Sequence, residues 1–141
     1  MATNVGIGLG SEFWLDNASN VLTQLDELLS VTPPNPQIDD VEATHMGSTA
    51  KEFIAGLTDY GSGDFEFNYI PNNATDVLIR AAIADKVERS YKIVLPIADG
   101  STQEITGNCI VKGWVRSDPI ADRMTATLTV RFTGSPTETH V

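Results

Sequence analysis

Asp39, Asp40 and Glu42 come nearest, in type and spacing, to a pair of catalytic carboxylates. General acid and base work needs two carboxyls facing one substrate in different protonation states. These three follow a proline-rich break, Thr32-Pro33-Pro34-Asn35-Pro36, in an acid-rich part of the chain, where a solvated loop or strand edge accounts for them without catalysis. Gly6-Ile7-Gly8-Leu9-Gly10 has the look of a phosphate-cradling glycine loop. Such a loop needs a strand before it and a helix after it, and here the sequence has barely begun. Neither His45 nor His140 belongs to a spaced set of metal ligands, and neither lies beside a nucleophile motif such as Gly-x-Ser-x-Gly. Cys109 is the only cysteine. It cannot close a disulfide within the chain, and its apolar strand-like surroundings suit a small buried hydrophobe in a protein that folds under reducing conditions. Trp14 and Trp114 could stack on a ligand, but tryptophan in a small strand-rich chain mostly supplies core area. These residues do not assemble an active site, and no cofactor or metal is implied.

Charge excludes a further class. The net charge of −10 is unevenly spread: residues 1–79 hold twelve acids and one base, Lys51, while residues 80–141 hold seven acids and eight bases. Stable nucleic-acid binding draws on basic residues that displace counterions, and this chain does not supply them. The acid excess keeps the chain soluble, or forms a surface that must repel DNA. A length of 141 residues with 41 % apolar content fits one domain with one core. The opening residues lack the pattern of a signal peptide, and no run nears the roughly 20 apolar residues that span a bilayer.

Strands dominate the elements that must position these residues. Residues 1–11 read as a glycine-rich N-terminal arm, and Glu12–Asp16 as a short strand around Phe13-Trp14-Leu15. Residues 21–31 fit both a helical face (Val21, Leu22, Leu25, Leu28, Leu29) and one face of a strand (Val21, Leu25, Leu29, Val31). The proline break forces extended or turn backbone, after which residues 37–44 resume as a strand. Residues 45–63 show no sustained period and read as a long loop. Phe53, Ile54, Leu57 and Tyr60 along it suggest that it packs against something. Asp64 to Ile70 alternates acid or amide with aromatic, as a strand with one wet face does. Asn73 caps a helix over residues 74–84 with Val77, Leu78, Ala81 and Ile83 as its stripe. Residues 90–98 and 101–110 flank Asp99-Gly100, a two-residue hairpin turn. The second strand continues to Val115 with Gly107 as a bulge, a turn follows over residues 117–122, and a Thr-rich strand over residues 124–132 precedes a tail at 134–141. The fold class is mainly β, a two-sheet β-sandwich or partly open barrel with one flanking α-helix.

The order of these elements, with Tyr91-Lys92-Ile93 and Gly113-Trp114-Val115 set around the Asp99-Gly100 hairpin, resembles the lambda-like major tail tube proteins of long-tailed bacteriophages over residues 12–136. Some relatives add an immunoglobulin-like domain after the strand matching Met124 to Phe132, which this sequence lacks. The resemblance implies strand at residues 21–31, hexameric rings that stack into a tube, and a structural virion protein rather than an enzyme. It implies partners as well: further copies of the chain, the tape measure protein, tail terminator and tail tip proteins, and DNA in transit through the lumen. The place would be the virion tail, after synthesis in the bacterial host cytoplasm. Phe53, Ile54, Leu57, Tyr60, Asp39, Asp40 and Glu42 are then candidate contacts between subunits or rings, with the arm and the tail beside them. Two other readings stand: the tube of a contractile tail or type VI secretion system, and a monomeric β-sandwich binding module anchored by Trp14, Tyr60 or Tyr69.

Overall fold

The computed structural model describes residues 10–141. The N-terminal arm expected over residues 1–11 falls almost wholly outside them. Nine strands and one helix follow in the order β1 (Glu12–Asp16), β2 (Leu22–Gln24), β3 (Leu28–Ser30), β4 (Gln37–Glu42), β5 (Phe53–Asp59), β6 (Ser62–Asn68), α1 (Ala74–Asp85), β7 (Arg89–Pro96), β8 (Thr102–Ser117) and β9 (Thr125–His140). Seven strands form one antiparallel sheet in the order β2-β1-β7-β8-β9-β6-β3, and β4 pairs with β5 in a separate two-stranded sheet. The mainly β class holds, in its partly open barrel form: the large sheet curls into a half-barrel with α1 against it.

The curl follows from what the inner face must bury. Alternate residues of β6 (Phe65, Phe67), β7 (Tyr91, Ile93), β8 (Ile105, Cys109, Val111) and β9 (Leu128, Val130, Phe132) point to one side and are buried, as strand alternation requires. A sheet bent toward that side wraps these rings around themselves, and Leu78, Ile79 and Ala82 of α1 complete the cluster. Cys109 lies inside it, and burial, reinforced by the Asp16 and Glu88 charges, pushes its thiol up to about 12. It is a core residue, protonated at any physiological pH.

The bend is clasped by three consecutive residues. Leu25 N–H donates to the Phe13 carbonyl at 2.9 Å, Asp26 N–H to Thr75 Oγ1 at 3.0 Å, and the Glu27 carbonyl accepts from Asn68 N–H at 2.9 Å. The strands β2 and β3, on either side of this clasp, are the two outer edges of the sheet. The chain thus steps from one edge to the other across three residues, and residues 21–31 resolve as two short strands rather than a helix.

The helix is capped as its sequence predicts. Asn73 Oδ1 accepts from Asp76 N–H at 2.9 Å, and Lys86 closes the other end in the left-handed conformation at φ 56°. Asp76, in the first turn, is buried. It accepts from Asn72 N–H at 3.0 Å, from Arg80 Nε at 3.1 Å and from Trp114 Nε1 at 3.0 Å, which ties α1 to β8. Trp114 is a half-buried packing residue with its polar end satisfied, edge-on to Phe67.

Two expectations need correction. Residues 45–63 are not one long loop: β5 occupies Phe53–Asp59 and β6 starts at Ser62. The tail at residues 134–141 is not free: β9 runs on to His140 against β8, and Val141 and Thr102 exchange backbone hydrogen bonds of 2.8 and 3.0 Å. The β9 extension finds its ladder partner on distant β8, where local periodicity cannot see it, whereas β5 pairs with neighbouring β4 on a ribbon that has no dry face to set a period.

Candidate assembly surfaces

The residues singled out from the sequence meet on one element. Asp39, Asp40 and Glu42 lie on β4, and Phe53, Ile54 and Leu57 on β5, in a register that sets Asp40 opposite Ala55, Val41 opposite Ile54 and Glu42 opposite Phe53. Tyr60 stands apart from them: it is half-buried at the foot of the hairpin and packs on the core.

The β4–β5 hairpin projects from the body without a sheet or helix covering either face. Ile38, Val41, Phe53, Ile54 and Leu57 are all exposed, and so are the carboxylates between them. A two-stranded ribbon of this kind is marginal by itself in water, so its foot is fixed instead. Thr32 to Pro36 leads into β4 through three prolines that restrict the backbone. Arg131 Nη2 on β9 donates to both Asp59 carboxylate oxygens, at 2.8 and 2.9 Å. Gly61 N–H donates to the same carboxylate at 2.9 Å, and that bond, followed by Arg131, holds Asp59 below the usual carboxylate range. Phe132 N–H bonds to the Gly61 carbonyl at 3.0 Å. Gly63 allows this close seating, since a Cβ there would lie 2.8 Å from both the Phe132 ring and the Thr32 carbonyl.

A second exposed region lies at the other end of β6, and sequence reading passed over it. Where β8 turns into β9, Val115, Ile120 and Met124 are exposed, with Ile70 beside them through the 3.0 Å bond from Tyr69 N–H to the Met124 carbonyl. Arg116 and Arg123 lie on the same hairpin end, whereas Lys112 sits on β8 level with Val130 and Gly63, near the other end of β6. Arg116 Nη1 donates to the Tyr69 hydroxyl at 3.3 Å, and none of the three bases has a carboxylate partner among the described residues. The isolated Ile120 and Val115 gave no periodic signal in the sequence, because a strand end and its turn have no buried face to alternate with.

Nothing in this arrangement resembles a reaction centre. The acids of β4 are exposed on an open ribbon, and no group of three His, Cys, Asp or Glu that could hold a metal occurs among the described residues. No helix of the described residues is long and apolar enough to cross a membrane.

Comparison with solved structures places this architecture. The tail of an empty gene transfer agent particle, determined with C6 symmetry, superposes with a TM-score of 0.75 at 15 % identity, covering 96 % of this chain and 99 % of that one. The SPP1 tail tube gives 0.71 at 9 % identity over 94 % and 77 % of the two chains. The anti-feeding prophage baseplate gives 0.69 at 10 % identity over 100 % and 97 %. At these identities the likeness is one of fold. No curated protein matches by sequence. The model of the family described as "Lambda phage tail tube protein, TTP" matches residues 9–139, nearly the whole sequence. On that match the chain belongs to the lambda phage tail tube protein family, whose members are structural subunits of a tube rather than enzymes.

Proposed function

We propose that this tail tube protein closes into hexameric rings that stack into the tail tube, and that Asp39, Asp40, Glu42, Phe53, Ile54, Leu57 and Tyr60 serve contacts between subunits or rings. The observation that carries the reading is the β4–β5 hairpin, which displays large apolar side chains on a ribbon that the subunit itself leaves uncovered. A contact that repeats around a ring is heterologous, one surface meeting a different one, and a ribbon projecting from a compact body suits it. Tyr60, packed at the foot, serves that contact by fixing the ribbon from which the other residues project.

The tube surrounds the tape measure protein during assembly and passes DNA on infection, between a terminator at one end and tip proteins at the other. An excess of ten negative charges supports passage without adhesion. Synthesis in the host cytoplasm agrees with the single buried thiol. Family membership favours the lambda-like tube over the contractile one, although contractile-system tubes share the fold.

Negative-stain electron microscopy with size-exclusion light scattering on concentrated protein tests this. Rings or hollow tubes are expected, and Leu57→Asp is expected to abolish them while leaving the monomer folded. A parent chain that stays monomeric at every concentration, with and without an added tail tip complex, overturns the reading.

A further inference from the structure

The β4–β5 ribbon meets the body at its foot. Its two strands pair only with each other, and the chain leaves it for β6 through Tyr60 and Gly61. Packing does not fix its direction beyond that point. A groove of about 610 Å³ stays open between ribbon and body, with Leu57 and Tyr60 on one side and Ile110 and Thr133 on the other. Arg131 also lines this groove, and its guanidinium reaches the ribbon at Asp59, the last residue of β5. Among the described residues, no other side chain of the body bonds to any residue of the hairpin.

The base of this link is firm. Arg131 stands on β9, an interior strand, and its backbone is flanked on both sides, by Ser62 of β6 and Ile110 of β8. At the other end, Asp59 faces Gln37 across the first rung of the ribbon, so holding Asp59 holds both strands at their root. The two side chains are 43 % and 53 % exposed, and an ion pair in that setting adds little to the stability of a fold. Its effect falls on direction instead.

We infer that Arg131 is a positioning residue for assembly: through Asp59 it braces the ribbon in the direction from which Val41, Phe53, Ile54 and Leu57 reach a neighbour together. The inference rests on the tube reading and adds to it a residue that acts on the contact through another. A ribbon braced before contact loses less freedom on docking than one that swings about its foot. Cutting the brace leaves the contact residues in place and raises the concentration at which they assemble.

Three variants separate bracing from general stability. Arg131→Gln removes the charge, and Asp59→Asn keeps an acceptor for Gly61 N–H while losing the ion pair. Arg131→Lys keeps the charge without the planar fork. The first two are each expected to raise the critical concentration for tube formation about fivefold or more, with the thermal midpoint of the unassembled chain unchanged. Arg131→Lys is expected to recover part of that loss. In unassembled chains, spin labels at Lys51→Cys on the ribbon and Glu88→Cys on the body report the direction itself, with Cys109 too buried to take a label. One narrow distance is expected in the parent and a broad spread in Arg131→Gln. An equally narrow distance in Arg131→Gln, or a critical concentration that rises only where the thermal midpoint falls, overturns the brace while leaving the tube reading intact. A parent that forms neither rings nor tubes overturns the tube reading itself, and the role in assembly with it.

Discussion

Phe13 and Phe65 stack with ring centroids 4.2 Å apart and planes 12° from parallel, although β7, β8 and β9 lie between their strands in the sheet. A flat sheet with a strand spacing of about 4.8 Å would hold them roughly 19 Å apart. Their contact is therefore the bend of the half-barrel measured at one place, and both rings are fully buried. Phe65→Ala is expected to cost about 3–5 kcal/mol, read as a lower urea midpoint. A loss under about 1 kcal/mol would mean that the clasp at Leu25 to Glu27 holds the curl without the stacked pair.

Asp76 joins the helix to the sheet through three donors, and removing one of them separates the roles. Trp114→Phe keeps most of the apolar contact with Phe67 but leaves the carboxylate with Asn72 N–H and Arg80. It is expected to cost about 1–3 kcal/mol. Asp76→Ala, which strands the Trp114 and Asn72 donors as well as the Arg80 charge, is expected to cost more, about 3–5 kcal/mol. Thermal unfolding of the two variants side by side gives the order.

The foot of the hairpin carries a signed pH dependence. Asp59 has its carboxyl lowered in the folded chain by the Gly61 N–H first and Arg131 second. Its contribution is therefore fully present above the unfolded carboxylate value of about 3.9 and is lost as pH falls through the lower folded value. In an NMR titration, Arg131→Gln is expected to move the Asp59 midpoint upward while leaving it below the free value, because the larger cause remains.

Gly63→Ala places a methyl against the Thr32 carbonyl, a backbone atom that cannot swing aside. The substitution is expected to destabilise by about 1–3 kcal/mol and to loosen the hairpin, seen as faster amide exchange in β5. Unchanged exchange there would place the anchoring in the prolines and Arg131 instead.

Much of the body was legible in the sequence. Asp99-Gly100 marked the β7–β8 hairpin, Asn73 marked the start of α1, and the alternation of Phe65 and Phe67 with acids marked β6, because each carries its signal within a few residues. The hairpin was legible only as a set of apolar residues awaiting a partner: a ribbon bare on both faces has no dry side, and its sequence has no period of two to read. The extension of β9 past Gly134 was illegible for the opposite reason. Its residues are polar, and the ladder that makes them a strand is supplied by β8 some thirty positions away, from Gln103 opposite His140 to Asn108 opposite Thr133.

The place of β9 has a consequence for when a subunit can exist at all. It is made after every other element, yet it lies between β8 and β6, so the part built on β1, β7 and β8 and the part built on β6 and β3 share no ladder until it arrives. The order of the sequence thus leaves the sheet in two parts, joined only at the clasp of Leu25 to Glu27, until its last strand is in place.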